Sequence, residues 1–264
     1  MLYVTGDIHG NAVERFSYKN YPYLRDMNKE DFAIILGDFG IPFGIYSPYH
    51  HEYVEEEKYN LDFLESKRAT ILALAGNHDD RNFTKQLPQI KKFGGKVREM
   101  YFMDKKYPTI YYIDEPTILT LGNKKCLFVP GAKSHDIEDG IINPWTTDVQ
   151  YAVKMMKRND KIFYRIADWD WWEDEDINKE KVEELIKKEQ KFDYIFSHTC
   201  PLELLKLEFI PSLDYESSDT EKYLQNLAEK LIYNHWYHGH FHINFSYYND
   251  NITCLYKNFE ILEN

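Results

Sequence analysis

Cysteine is scarce in this chain and forms no pattern: Cys126, Cys200 and Cys254 are odd in number, far apart and outside any C-x-x-C spacing. That excludes a disulfide framework and gives no support to a thiolate zinc site, so a reducing, cytoplasmic compartment is expected. Long apolar runs are missing too. None approaches the roughly 18 to 20 residues that a membrane span needs, and the opening MLYVTGDIHG passes from a short apolar run straight into polar residues rather than through a leader-like stretch. Basic residues are in deficit, with 32 Lys and Arg against 44 Asp and Glu for a formal charge of −12. A field of that sign repels duplex nucleic acid, although bound divalent cations would reverse it locally and admit a small phosphorylated substrate. No repeat, low-complexity tract or Pro/Gly/Ser-rich linker interrupts the chain, so residues 1–264 read as a single domain.

What is present suffices for a sizeable core, since 43% of the residues are hydrophobic. The aromatic residues are expected chiefly inside that core rather than along a ring-lined groove. Short apolar runs at Leu2–Thr5, Phe32–Leu36, Thr70–Ala75, Cys126–Val129, Tyr194–Phe196 and Trp236–Tyr237 predict buried strands, most of them followed at once by Gly, Asp, Asn or His. Between them, Val182, Leu185 and Ile186 after an Asn178 cap, and Leu224, Leu227, Leu231 and Ile232 after Thr220, carry helical spacing. Strands alternating with helices make an α/β class, whose ligand sites lie in loops beyond the carboxyl ends of the strands. From about Tyr101 to Pro130 strands follow one another without helices, with Gly122-Asn123 as a turn, which predicts a partly antiparallel region. The stretch 133–177, containing AKSHDIEDG and DWDWWEDED, is irregular and rich in Trp and acid; it reads as an insertion or lid over the site, or as a solvated loop.

Five short motifs carry the chemistry: GDIHG (Gly6–Gly10), GDFG (Gly37–Gly40), GNHDD (Gly76–Asp80), SHT (Ser197–Thr199) and GHFH (Gly239–His242). In extended backbone, residues two apart point the same way, so Asp7 with His9, and His240 with His242, are expected to face one site as pairs. Carboxylate, imidazole and amide oxygen together suit Mn²⁺, Fe²⁺, Zn²⁺ or Co²⁺ better than Mg²⁺ or Ca²⁺. The candidate ligands Asp7, His9, Asp38, Asn77, His198, His240 and His242 exceed what one tetrahedral ion uses. They predict two divalent ions roughly 3.5 to 4 Å apart, with Asp38, in the middle of the set, as the bridge. A lone G-D turn or H-x-H is ordinarily structural; five such motifs, each after an apolar run, argue for a shared metal centre.

The order D-x-H, G-D, G-N-H-[DE], H, G-H-x-H resembles the calcineurin-like metallophosphoesterase superfamily from Asp7 to His242, and GDIHGN is similar to the opening of its serine/threonine phosphatase branch. The resemblance implies a four-layer α/β/β/α sandwich of two mixed sheets flanked by helices, and a phosphoesterase that depends on two metal ions. It further implies that Asp7, His9 and His242 hold a first ion, that Asn77, His198 and His240 hold a second, and that Asp38 bridges them while both ions neutralise phosphoryl charge during in-line attack. His78 then resembles the catalytic residue that protonates the leaving oxygen, with Asp79 orienting and charging its imidazole. Asn11 is expected to cap the next helix.

Departures bear on the substrate. Protein phosphatases of the superfamily show G-D-x-V-D-R-G and R-G-N-H-E, whose arginines clamp phosphate; here the text is GDFGIPF and LAGNHDD, both arginines are absent, and Arg81 is the candidate substitute. GDFG, Gly94–Val97 (GGKV), Gly131–Asp136 (GAKSHD) and Trp171–Asp174 look closer to a bacterial and phage group of small metallophosphoesterases, with Glu173 and Glu175 as alternatives for the acid of the last segment. Asp136, Asp139, Trp171 and Trp172 are candidates for a rim that selects the leaving group, or for a packed lid. His50, His51, His135, His235 and His238 are expected in structural or surface roles, with His238 nearest the metals. Monoester hydrolysis is favoured, on a phosphorylated small molecule, nucleotide or phosphopeptide. The alternatives are a phosphodiesterase or nucleotidase that uses the Trp-rich segment as a base platform, and a non-catalytic binding scaffold.

Overall fold

A computed structural model describes residues 1–48, 50–146, 148–156, 164–205, 218–247 and 251–263. The strands begin with β1 (Leu2–Thr5), β2 (Phe32–Ile35), β3 (Thr70–Leu74), β4 (Gln89–Lys92), β5 (Gly95–Phe102) and β6 (Lys105–Ile113). A hairpin of β7 (Thr117–Leu121) and β8 (Lys124–Val129) follows, then the short pair β9 (Gly140–Ile142) and β10 (Tyr164–Ile166). The last strands are β11 (Lys191–Ser197), β12 (Ile232–His238), β13 (Phe245–Tyr247), β14 (Ile252–Cys254) and β15 (Phe259–Leu262). They form two large mixed sheets, β15-β1-β2-β3-β6-β5-β4 and β13-β14-β12-β11-β8-β7.

The period of two along each strand divides its residues between two cores. Tyr3, Ala33, Ile35, Ile71 and Ala73 pack outward against Phe16 and against Leu61 and Leu64 of the Val54–Glu65 helix. Their neighbours Leu2, Val4, Ile34 and Leu72 face the other sheet, where they meet Cys126, Phe128, Phe196 and Tyr237. On the far side of that second sheet, Leu127, Val129, Ile195 and Trp236 pack against Val182, Ile186, Leu224 and Leu227 of two further helices. Strands covered on both faces show no apolar-polar alternation, which is why they read as continuous hydrophobic runs. The layers are helix, sheet, sheet, helix: the α/β/β/α sandwich.

Local signals explain the ends of the elements. Asn178 accepts from the Lys181 amide at 3.0 Å and starts Lys179–Ile186. Ser218 and Glu221 form a reciprocal capping box on Asp219–Lys230, and Asn11 accepts from the Glu14 amide at 3.2 Å, as a cap should. Gly122 takes φ +62° in the β7–β8 turn. The stretch 133–177 is more regular than its composition suggests. β9 and β10 pair in parallel, and the Asp148–Met156 helix lies between them in sequence; residues 147 and 157–163 lie outside the described residues. Among the described residues, no helix is long and apolar enough to cross a membrane.

Candidate metal centre

In the first sheet β1, β2 and β3 run parallel, and in the second β8, β11 and β12 do, so the loops after them gather at one rim. A backbone bond joins the two edges, the Gly131 amide donating to Ala75 O at 2.8 Å, while within the second sheet the Gly239 amide donates to His198 O at 2.9 Å. His198 Nδ1 meets Leu36 O at 2.7 Å, and the His240 amide donates to Asp7 Oδ1 at 3.0 Å.

The rim brings all seven candidate ligands together in two groups. Ligating atoms of Asp7, His9 and His242 lie within 4.8 Å of one another, and so do those of Asp38, His198 and His240. Asn77 Oδ1 joins the second group at 3.1 Å from His198 Nε2. His9 Nε2 stands 3.9 Å from Asp7 Oδ2 and 3.8 Å from Asp38 Oδ2, so Asp38 faces both groups.

The arrangement fits divalent cations on its own chemistry. With its Nδ1–H given to Leu36 O, a neutral His198 carries a lone pair on Nε2, yet that atom faces Asp38 Oδ1 at 3.2 Å and Asn77 Oδ1 at 3.1 Å. Three lone pairs converging on one point require a cation or an extra proton. Where only protons are available, burial opposes but the Asp38 carboxylate lifts His198 to about 9. Burial likewise opposes ionisation of Asp38, while His198, His78 and His9 hold its carboxyl well below the usual range. His9 Nε2 and His242 Nε2, 2.9 Å apart, repeat the pattern of donors aimed at a common point.

The pairwise extended geometry expected for D-x-H and H-x-H does not hold. His9, Asp38, His240 and His242 all take left-handed backbone, with φ of 44°, 47°, 73° and 54°. Their side chains meet because the chain turns at each of them. Such residues cost roughly 1–2 kcal/mol apiece, strain of the kind that concentrates at functional sites. The adjoining glycines answer a packing need. A Cβ on Gly37, at φ +101°, would stand 2.0 Å from His198 Nδ1, and one on Gly76 would stand 2.1 Å from Asp38 Oδ1.

His78 lies at the mouth of this cluster, its ring centroid 5.7 Å from that of His9 and its amide donating to Asp38 Oδ1 at 2.8 Å. Burial pushes the imidazole down to about 4; Arg165, His9 and His198 add to that and Asp38 opposes it. Asp79 departs from its expected role. Its buried carboxylate accepts from the amides of Gly76 at 2.7 Å, Gly40 at 2.8 Å and Phe39 at 3.3 Å and from the Tyr112 hydroxyl. Buried amides in two glycine turns need acceptors, and Asp79 supplies them, tying the second motif to the third. The carboxylate beside the His78 ring is Asp136, with Oδ2 3.8 Å from Nε2. Arg81 is no phosphate clamp either: its buried guanidinium donates to Asp114 O and Glu175 O, at 3.1 and 2.9 Å.

Of the acids in DWDWWEDED, Glu175 is the one wired to the centre. Its Oε1 accepts from the Ser134 amide at 2.6 Å and its Oε2 from the Ser134 hydroxyl at 2.9 Å. Ser134 Oγ in turn accepts from Asn77 Nδ2 at 3.3 Å, which leaves Asn77 Oδ1 for the ligand side. Burial, opposed by the Ser134 hydrogen bonds, raises the Glu175 carboxyl from 4.5 to about 7. The folded chain thus holds a proton that the unfolded chain releases in between. This contribution to stability is complete below pH 4.5 and is lost as pH rises through about 7. In thermal melts across that window, Glu175→Gln is expected to show a shallower fall of Tm with pH than the parent; parallel curves would remove Glu175 from this role.

Trp172 is buried edge-on against Phe43, centroids 5.6 Å apart, a packed position rather than an exposed rim. His50 bonds Glu57 at 2.7 Å and His235 bonds Thr253 Oγ1 at 2.8 Å. His238 is buried with Nδ1 3.1 Å from Gly239 O, and the His135 ring lies 5.2 Å from that of His240. Beside His9 opens a cavity of about 760 Å³, walled by Gly40, Phe43, Tyr53, Glu56 and Trp169.

A family model described as calcineurin-like phosphoesterase matches residues 1–244. No curated protein is significantly similar in sequence. One solved structure, a phosphopantetheinyl hydrolase (PptH) from Mycobacterium tuberculosis, aligns over 97% of this chain and 87% of that chain, at 15% identity and a TM-score of 0.44.

Proposed function

Because the chain belongs to the calcineurin-like phosphoesterase family, and is therefore a phosphoric ester hydrolase that uses a pair of divalent metal ions, we propose that it hydrolyses monoesters of small phosphorylated molecules with Mn²⁺, Fe²⁺ or Zn²⁺ bound. Asp7, His9 and His242 would hold one ion, Asn77, His198 and His240 the other, and Asp38 would stand between them. The bound ions supply Lewis acidity that neutralises charge on the phosphoryl oxygens. His78 moves a proton to the leaving oxygen, and the Ser134–Glu175 relay keeps the amide of Asn77 turned the right way.

The observation that carries this reading is the pairing of two ligand groups through Asp38 beside a cavity of about 760 Å³. That size suits a small molecule. Ile166, Trp169 and Asp170 of the stretch 133–177 line the cavity, which supports its role as a lid. The Trp169 indole in that wall favours a nucleotide as the second candidate, since a base stacks on such a face. Residues 1–264 are taken as one catalytic unit, because the first ligand group draws on Asp7 and His242 alike. The buried, free cysteines fit a reducing cytoplasm.

Purified protein loaded with Mn²⁺ and offered p-nitrophenyl phosphate, bis-p-nitrophenyl phosphate and nucleoside phosphates tests the proposal. Higher kcat/KM on the aryl monoester than on the diester is expected. The reverse order would replace monoesterase by diesterase, and turnover confined to nucleotides would make the second candidate the first.

A further inference from the structure

A phosphoryl dianion that enters beside Asp7, Asp38 and Asp136 needs cationic donors from the protein as well as from metal ions. Arg15 and Arg81 do not serve. Arg15 donates to Gly6 O at 3.1 Å and Asp7 O at 2.8 Å, and Arg81 is bound to Asp114 O and Glu175 O. Guanidinium groups bonded to buried carbonyls brace the backbone, and pulling them away would leave those carbonyls unpaired.

Arg165, on β10, is held differently. Its Nη2 bonds the Asp136 carboxylate and its Nη1 stands 4.0 Å from Asp170 Oδ2, with the side chain 20% exposed. Its partners are carboxylates at the edge of the site, not carbonyls of the core. Asp136 Oδ2, which holds it, is also the atom 3.8 Å from His78 Nε2, and Asp170 lines the cavity. The guanidinium charge acts on both His78 and Asp38. Asp136 Oδ1 is buried with no hydrogen-bond partner, so this carboxylate has acceptor capacity that its present bond to Arg165 does not use.

We propose that Arg165 is the phosphoryl clamp of this enzyme, parked on Asp136 until the phosphate oxygens of the substrate exchange for that carboxylate. The proposal rests on the phosphoesterase reading above. Guanidinium presents five N–H donors in a plane, matched to two oxygens of a phosphate, and among the described residues only Asp136 takes a hydrogen bond from them. The exchange keeps Arg165 paired and releases the Asp136 carboxylate, whose side chain is 33% exposed and so within reach of water. Asp136 is thereby a positioning residue: it sets the guanidinium next to His78, where the ester oxygen must also lie.

The test compares parent, Arg165→Ala and Arg165→Lys, all loaded with Mn²⁺, in KM and kcat for p-nitrophenyl phosphate and in the dissociation constant of inorganic phosphate by calorimetry. Arg165→Ala is expected to raise KM and weaken phosphate binding by roughly ten- to hundred-fold, the worth of a charge-assisted hydrogen bond, with metal content unchanged. Arg165→Lys, which keeps the charge but not the fork, recovers part of the loss. Values of Arg165→Ala within twofold of the parent overturn the proposal, as does loss of metal or of the cooperative thermal transition in both variants. If the parent binds phosphate but turns over no ester, weaker binding by Arg165→Ala sustains the clamp while the phosphoesterase reading falls.

Discussion

Replacing Asp38 by Asn is expected to strip the centre of metal and lower kcat/KM by on the order of a thousand-fold or more, because bound metal charge supplies several kcal/mol of transition-state stabilisation. Asp38 is buried and its oxygens look in two directions, Oδ1 to His198 Nε2 at 3.2 Å and Oδ2 to His9 Nε2 at 3.8 Å. It also accepts from the His78 amide through Oδ1 at 2.8 Å. An amide in its place keeps the shape but brings no charge, and its NH₂ end presents donors where a cation needs lone pairs. The imidazole of His198, lifted to about 9 by this carboxylate, loses its main reason to hold a second proton. Metal analysis of the purified variant, together with its rate on p-nitrophenyl phosphate and its circular dichroism, reads the outcome. A folded Asp38→Asn protein with full metal content and undiminished rate would contradict the place given to Asp38.

The second large effect belongs to His78. Its ring touches neither ligand group at bonding distance, so His78→Ala is expected to retain both metals while slowing the chemical step by roughly two to four orders of magnitude, the usual scope of general-acid catalysis. The loss should be greatest for an alkyl phosphate, whose leaving alkoxide needs a proton, and smaller for p-nitrophenyl phosphate, whose phenolate leaves without one. Burial pushes this imidazole to about 4, so it is neutral near pH 7 until a phosphoester brings negative charge beside it and favours proton uptake. Equal losses on both esters would assign His78 to binding instead of proton transfer, and unchanged turnover would remove it from the mechanism.

Much of the fold was legible because its signals are local. Every predicted apolar run became a strand, with some growth at the ends: Tyr194–Phe196 became Lys191–Ser197, since pairing with β12 recruits Lys191, opposite Ile232, which no propensity would favour. The Asn178 and Asn11 caps lie where a side-chain oxygen three residues upstream of a free amide puts them. Donor types were legible for the same reason: one such turn is ordinarily structural, but five that place Asp, His or Asn after a buried strand point to a shared site. Asp79 and Arg81 stand close to His78 in sequence, but their side chains bond elsewhere. Asp79 instead reaches back to Gly40, and Arg81 reaches forward to Glu175. Arg165 carried no motif at all.

The linear chain by itself determined the six buried central strands and the helices around Val182 and Leu224, that both faces of those strands are covered, and which ligand chemistry the loops can offer. These follow from periods of two and 3.6 residues and from side-chain inventory, interactions that reach only a few positions along the backbone. Only the tertiary structure decided which donors share an ion, that four of them stand in left-handed turns, and that Asp136 and Arg165 meet His78. Those facts depend on how two sheets are stacked and stitched at one rim, where the His240 amide bonds Asp7 across 233 positions of sequence. No local rule reaches that far, because the closure of such a loop is driven by burial of the whole core and not by the residues it brings together.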